Sequence, residues 1–389
     1  MFNFNELHER KNTNCYKWDN NEQVYSIDDA SDLLPMWIAD MDIATPTFII
    51  DAMKERLAHP IFGYATVPHS LSEAIINWYK TRHSWSIHTD NLLFHEGVIP
   101  AIATIIETFT TEGDKVCISS PVYAPFDSIP KNLKREVVRV ALEEQDGFYS
   151  YNFDTLEEAF RAGVKIYILC NPHNPAGMVW DRETLTHILQ LAKRYNVLVI
   201  SDEIHCDLVL PPHKHIALQT LNVDIDADII TCISPTKTFN LASIHFAMMV
   251  SSNKALTAKL KQHALMHGRF GPNVFAIFAT EAAYTHGADW VDGLLTHISD
   301  NMDYVIEACR ELEGIRIVKP QGTYLLWIDY RATGLSEKEM LDQLLTKGRL
   351  GLDPGAKFGH EGQGFLRMNV ATPRMTVEEA VTRLKKALL

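Results

Sequence analysis

Three short segments carry residue types that could do chemistry together. The first is Ser234-Pro-Thr-Lys237-Thr-Phe-Asn240. A lysine amine can condense with an aldehyde or move a proton. Hydroxyls stand three before Lys237, one before it and one after it, so Ser234 and Thr236 are placed to hold a phosphate. The second segment is Val197-Leu-Val-Ile-Ser-Asp202-Glu-Ile-His205, an apolar run that ends on an acid. A buried carboxylate needs a partner, because burying it unpaired is costly. A protonated pyridine nitrogen would be such a partner. The third, Cys170-Asn-Pro-His-Asn174-Pro-Ala-Gly177, has two Asn-Pro pairs and a glycine that force a turn. An asparagine on that turn can donate to a phenolate oxygen. Taken singly, each segment has an ordinary alternative: a solvated lysine, a capping acid or a plain turn. Their order carries more weight, since Asn174, Asp202 and Lys237 follow three successive candidate strands at intervals of 28 and 35 residues.

The elements that must position these residues are legible as alternating patterns. Short apolar, β-branched runs at Leu92–His95, Val116–Ser119, Val137–Val140, Val164–Cys170, Val197–Ser201, Asp228–Ile233 and Phe246–Val250 read as strands. Amphipathic stretches at Thr47–Ala58, Ser70–Arg82, Ile99–Phe109, Arg182–Tyr195, Lys254–His267 and Asp289–Glu311 read as helices. Such alternation predicts an α/β fold with a large, mostly parallel sheet covered on both faces. After about residue 285 the pattern changes to strands at Ile315–Val318 and Tyr324–Asp329 and helices near Glu337–Lys347 and Val377–Leu388, which predicts a smaller α+β domain. The expected division is residues 46–285 for the large domain, with 1–45 and 286–389 forming the small one.

Bulk properties narrow the function classes. The net charge of −13 disfavours nonspecific nucleic-acid binding, which needs a basic surface. The six cysteines are scattered singly with no C-x-x-C pair, so they suggest neither a zinc site nor a disulfide framework. The clusters His205-Cys206-Asp207 and His213-Lys-His215 lack an accompanying metal motif and read as ordinary loop residues. The polar N-terminus shows no secretory signal, and no apolar run reaches the roughly 20 residues of a membrane span. A cytoplasmic protein is the expectation, with no nucleic-acid or membrane partner.

The ordered set Asn174, Asp202 and Lys237 resembles the fold-type I pyridoxal-phosphate (PLP) enzymes of the aminotransferase class I/II superfamily, along nearly the whole chain. The resemblance implies that Lys237 is the Schiff-base lysine, that Asp202 pairs with the pyridine nitrogen and that Asn174 bonds the ring hydroxyl. His205 stands where many relatives carry a tyrosine at the cofactor. Gly97-Val-Ile-Pro opens a helix after a strand, and helix N-terminal amides attract phosphate. The backbone of Val98 and Ile99 is therefore the expected cradle. Tyr123 matches the aromatic stacked on the cofactor ring. Arg367, in Phe365-Leu-Arg-Met-Asn, matches the arginine that grips a substrate carboxylate, a task for which its planar fork is suited.

Leu34-Pro-Met-Trp-Ile-Ala-Asp-Met-Asp42, Ile61-Phe-Gly-Tyr64 and Pro320-Gln-Gly-Thr-Tyr-Leu-Leu-Trp327 are similar to one branch, the MalY/PatB-type cystathionine β-lyases. His173 and His205 fit that branch too. By this resemblance Tyr64 reaches the cofactor phosphate of a neighbouring subunit, which implies a homodimer, and the Ala39 backbone lies near the substrate carboxylate. The implied activity is β-elimination from cystathionine or another cysteine S-conjugate, giving a thiol, pyruvate and ammonia. Lys237 would remove the α-proton. Lys237 or Tyr123 would supply the proton to the leaving sulfur, with Lys237 the preferred donor. Two departures stand out. Ser243 replaces a usual glycine, and His245 occupies the position where many superfamily members bind phosphate through arginine. An aminotransferase on the same scaffold, or a non-catalytic binding protein of this fold, would keep the same core residues.

Overall fold

The chain builds two sheets of different character. The computed structural model describes residues 2–269 and 271–389. The larger sheet has eight strands, in the spatial order Leu92–His95, Ala247–Val250, Ile229–Ile233, Leu198–Asp202, Val164–Cys170, Lys115–Ser120, Glu136–Gln145 and Phe148–Tyr151. The five strands from Ile229–Ile233 to Glu136–Gln145 are mutually parallel. Ala247–Val250 and Phe148–Tyr151 run antiparallel to their neighbours. Helices cover both faces, which is why Val164–Cys170 buries every residue except Lys165.

The covering helices follow local rules. Arg182–Tyr195 starts where the Asp181 side chain accepts the Thr184 amide at 2.8 Å. It buries Leu185, Ile188, Leu189 and Ala192 at helical spacing and stops at Asn196, which adopts a left-handed conformation. Val274–His286 is a helix the sequence does not suggest. It buries side chains around most of its circumference, so no single apolar stripe marks it.

The second sheet is antiparallel, in the order Arg316–Ile317, Leu325–Asp329, Phe365–Asn369 and Asp353–Pro354. Phe365–Asn369 is fully buried and carries Arg367 at its centre. That charge hides the strand in the sequence, although its neighbours in register, Trp327 and Asp353, accommodate it. The N-terminal region joins this part, since Leu34–Pro35 pairs with Leu350–Gly351.

The two sheets meet at the turn after Val164–Cys170. The Gly177 carbonyl accepts the amides of Gln321 and Gly322 at 2.9 and 3.0 Å. A Cβ at Gly177 would lie 2.3 Å from Pro320, and its φ is +67°, so this approach requires glycine. In the large sheet, Cys170, Asp202 and Cys232 stand in register on three adjacent strands. Strand order reverses between Val164–Cys170 and Lys115–Ser120, and open α/β sheets form their ligand crevices beyond the carboxyl ends at such a reversal.

Candidate active site

Residues from three parallel strand ends, one antiparallel strand and an N-terminal strap converge at that crevice. Asp202 closes its strand and is buried, and its Oδ1 accepts the Ile204 amide at 3.0 Å. Burial raises its carboxyl to about 7, with the Glu203 charge adding to the rise. Lys237 follows strand Ile229–Ile233, and its Nζ donates to the Ala39 carbonyl at 2.5 Å. Burial first, then the nearby Arg367 charge, lowers the amine to about 8, while Asp40 and Asp202 pull the other way.

Arg367 reaches the crevice from the small sheet and is held on three sides. Its Nη1 donates to Asn174 Oδ1 at 2.9 Å, and its Nη2 donates to the Trp37 carbonyl at 2.9 Å and to Asp353. Its Nε is buried without a hydrogen-bond partner. Because Arg367 takes Oδ1, the Asn174 amide is aimed so that Nδ2 remains as a donor. His205 is buried with Nδ1 unpartnered, and burial lowers its imidazole to about 3, so it is neutral. It lies edge-on to Tyr324, whose hydroxyl shares the Ala39 carbonyl with Lys237 at 3.0 Å.

The phosphate candidates lie along the same edge. Gly97 precedes the helix Val98–Phe109, which has no side-chain cap, and Pro100 has no amide to offer. The amides of Val98 and Ile99 are therefore the donors of that terminus. Ser234 Oγ donates to the Phe246 carbonyl at 2.6 Å and lies 2.7 Å from Thr236 Oγ1. Tyr123 is partly buried beyond strand Lys115–Ser120, and burial raises its phenol. Tyr64 is fully exposed on the irregular segment between two helices, far from full packing within its own chain.

These features fit PLP. Asp202 is a buried carboxylate suited to a cationic ring nitrogen. Asn174 Nδ2 and His205 Nδ1 are free to meet a ring oxygen, and the uncapped helix with its paired hydroxyls suits a phosphate.

Several contributors had weak sequence signals or none. Asp353 lies in a turn-like Leu-Asp-Pro-Gly and meets Arg367 only through strand register. The carbonyls of Trp37 and Ala39 act as backbone groups, and the Tyr324 hydroxyl was visible only as part of a motif. Asp207, the last residue of the cluster His205-Cys206-Asp207, forms a separate hub. Its Oδ1 accepts Trp78 Nε1 at 3.0 Å and pairs with His83 Nε2 at 2.7 Å, and its Oδ2 accepts Thr238 at 2.9 Å. His83, Cys206 and Asp207 are close enough to hold a metal ion. However, Asp207 already uses both oxygens, and burial keeps the Cys206 thiol protonated. The cluster is a hydrogen-bonded core.

Comparison with known proteins agrees with this geometry. The family model for aminotransferase class I and II matches residues 32–384. Cystathionine β-lyase PatB of Bacillus subtilis is 39% identical, over 99% of this chain and 100% of its own. Protein MalY of Escherichia coli is 32% identical, over 100% of this chain and 99% of its own. The structure of cystalysin from Treponema denticola, which contains a pyridoxal 5'-phosphate cofactor, superposes with a TM-score of 0.96 at 31% identity and covers 100% of this chain and 99% of that one. With a family match across nine-tenths of its length and full-length relatives above 30% identity, the chain belongs to the class I and II aminotransferase family, in the branch that holds PatB and MalY.

Proposed function

We propose that this chain is a PLP-dependent carbon–sulfur β-lyase that releases a thiol, pyruvate and ammonia from cystathionine or a related cysteine S-conjugate. The observation that carries the reading is the Lys237 amine. It is lowered to about 8, feels the charges of both Arg367 and Asp202, and follows the strand adjacent to the one that Asp202 closes. The branch to which the chain belongs supports the reaction type.

In this reading Lys237 holds the cofactor aldehyde, Asp202 the ring nitrogen, Asn174 and His205 the ring oxygen, and Tyr123 the ring face. Val98, Ile99, Ser234 and Thr236 hold the phosphate, joined by Tyr64 from a second copy of the chain. When bound, PLP supplies the sink for electrons released at the substrate α-carbon. Arg367 binds the substrate carboxylate through its unpartnered Nε hydrogen, which aims the α-carbon at Lys237. Lys237 takes the α-proton. An amine near 8 keeps an appreciable free-base fraction at neutral pH. The α-carbon's electron pair closes a double bond to the β-carbon as the β-carbon–sulfur bond breaks with its own pair on sulfur. Lys237 returns a proton to the thiolate, and water hydrolyses the released enamine to pyruvate and ammonia. Tyr123 is the alternative donor.

The homodimer belongs to the same proposal. Leu57, Ile61, Phe62 and Tyr64 are all exposed and offer apolar surface that a second copy would cover. The division into 46–285 and the two small-domain segments is also proposed. All eight large-sheet strands fall in the first range, and the antiparallel sheet falls in the second. Among the described residues no helix is long and apolar enough to cross a membrane, which is compatible with a cytoplasmic enzyme.

The test is pyruvate release from cystathionine with no 2-oxo acid added. A lyase turns over under that condition, whereas an aminotransferase needs the acceptor. Lys237→Ala is expected to lower steady-state turnover by about 10²–10⁴-fold. Retained turnover in that variant sinks the assignment.

A further inference from the structure

Residues 37–42 cross the mouth of the crevice as a strap with two working faces. Toward the site, the Trp37 carbonyl accepts Arg367 and the Ala39 carbonyl accepts Lys237 and Tyr324. Toward the N-terminal region, the carboxylates of Asp40 and Asp42 face basic residues. Arg10 grips Asp40 through both oxygens, at 2.8 and 3.0 Å, and also donates to Asp42 and to the Met41 carbonyl. Lys17 is fully buried on Asp42 Oδ2 at 2.5 Å and reaches the Asp40 carbonyl at 3.1 Å. The body of the protein holds the strap from the other side. Asn240 bonds Met41 at both amide and carbonyl, and Asn369 Nδ2 bonds the carbonyls of Ile38 and Asp40.

The carbonyl on the proposed proton-transfer amine and the carboxylate held by Arg10 thus belong to consecutive residues, Ala39 and Asp40. The Asp40 charge is among those that act on Lys237. The other groups facing this amine are Arg367 from the small sheet, Asp202 from the large sheet, the neutral His205 and the Tyr324 hydroxyl. None of the chemistry assigned above uses Arg10, which reaches the strap from an irregular N-terminal stretch.

We propose that Arg10, acting through Asp40, is a positioning residue for the reaction: it holds the strap so that the Ala39 carbonyl meets the Lys237 amine, and it sets the net charge which that amine faces. The proposal rests on the reading of Lys237 as the proton-transfer group. Removing the Arg10 charge leaves Asp40 uncompensated, and an uncompensated anion favours the charged amine. Removing the Asp40 charge does the reverse.

The experiment uses the cofactor-free, full-length protein. The rate at which acetic anhydride acetylates Lys237 is followed against pH by peptide mass spectrometry, for wild type, Arg10→Gln, Arg10→Lys and Asp40→Asn. Arg10→Gln should move the midpoint up by about 0.5–1 in pH, slowing acetylation at pH 7 about three- to tenfold. Asp40→Asn should move it down, and Arg10→Lys should return it close to wild type. In the holoenzyme the acid limb of kcat against pH should shift in the same directions. Midpoints that stay at the wild-type value in both Arg10→Gln and Asp40→Asn, or that move the same way, overturn the proposal, even if stability or activity falls. Should Arg10→Gln not fold, Asp40→Asn decides alone: a downward move supports the proposal and an unmoved midpoint overturns it. Acetylation needs no turnover, so its outcome is independent of the Lys237→Ala result.

Discussion

Asp202 closes a strand and Asp207 stands five residues on in the turn that follows, and their carboxyls are pushed in opposite directions. Burial raises both. At Asp202 only one backbone amide and a weaker influence from Lys237 oppose it, so the carboxyl rises to about 7. At Asp207 the bonds from His83 and Thr238 and the charge of Arg82 outweigh burial and hold the carboxyl below its ordinary range. The difference separates two uses of a buried acid. Asp207 is satisfied by the protein and ties the helix His69–His83 to the Lys237 loop. Asp202 accepts only the Ile204 amide, which suits it to the cofactor role proposed above.

The contrast can be broken most strongly at Asp202. Asp202→Asn should lower pyruvate release by about 10²–10³-fold while leaving the cofactor-free protein folded, as judged by its melting curve. Asp207→Ala should do the opposite. Loss of the shared acceptor strands Trp78 Nε1, His83 and Thr238 and should cost about 3 kcal/mol of stability in denaturant titration. A destabilised Asp202→Asn, or an Asp207→Ala of wild-type stability, would erase the distinction.

The pH dependence sharpens it further. The folded-state carboxyl of Asp202 is raised from 3.8 to about 7. Its contribution to stability is therefore full below about pH 4 and is lost as pH rises through 7. Cofactor-free protein should lose on the order of 2 kcal/mol between pH 5 and 8 from this group, and Asp202→Asn should lack that decline. Asp207, with a lowered carboxyl, has the opposite sign, and its contribution is lost only in acid. The smallest expected effect is Thr238→Val. It removes one hydrogen bond to Asp207 and should shift stability by about 1 kcal/mol, with a KM change smaller than its kcat change if the Lys237 loop loosens.

Much of the large sheet was readable because its signal is local. Val164–Cys170 and the helix Arg182–Tyr195 fall where apolar run and periodicity place them. The strand Phe365–Asn369 was not readable as a strand, since a buried arginine interrupts its apolar pattern and only the cross-strand Asp353 explains that arginine. The helix Val274–His286 escaped for the opposite reason, being apolar on nearly every side.

The sequence by itself determined the chemical alphabet of the site and its order. Asn174, Asp202 and Lys237 each follow an apolar run, and parallel strands deliver their carboxyl ends to one edge. Tertiary structure alone decided what each group meets there. The Lys237 amine bonds a carbonyl 198 residues away, and Arg367 bonds an asparagine 193 residues away. It also decided that, of two buried acids five residues apart, Asp207 has both oxygens bonded and Asp202 accepts a single backbone amide. Ionisation in a buried site depends on desolvation and on partners brought from distant segments, and neither is written in the local run of residues around an acid.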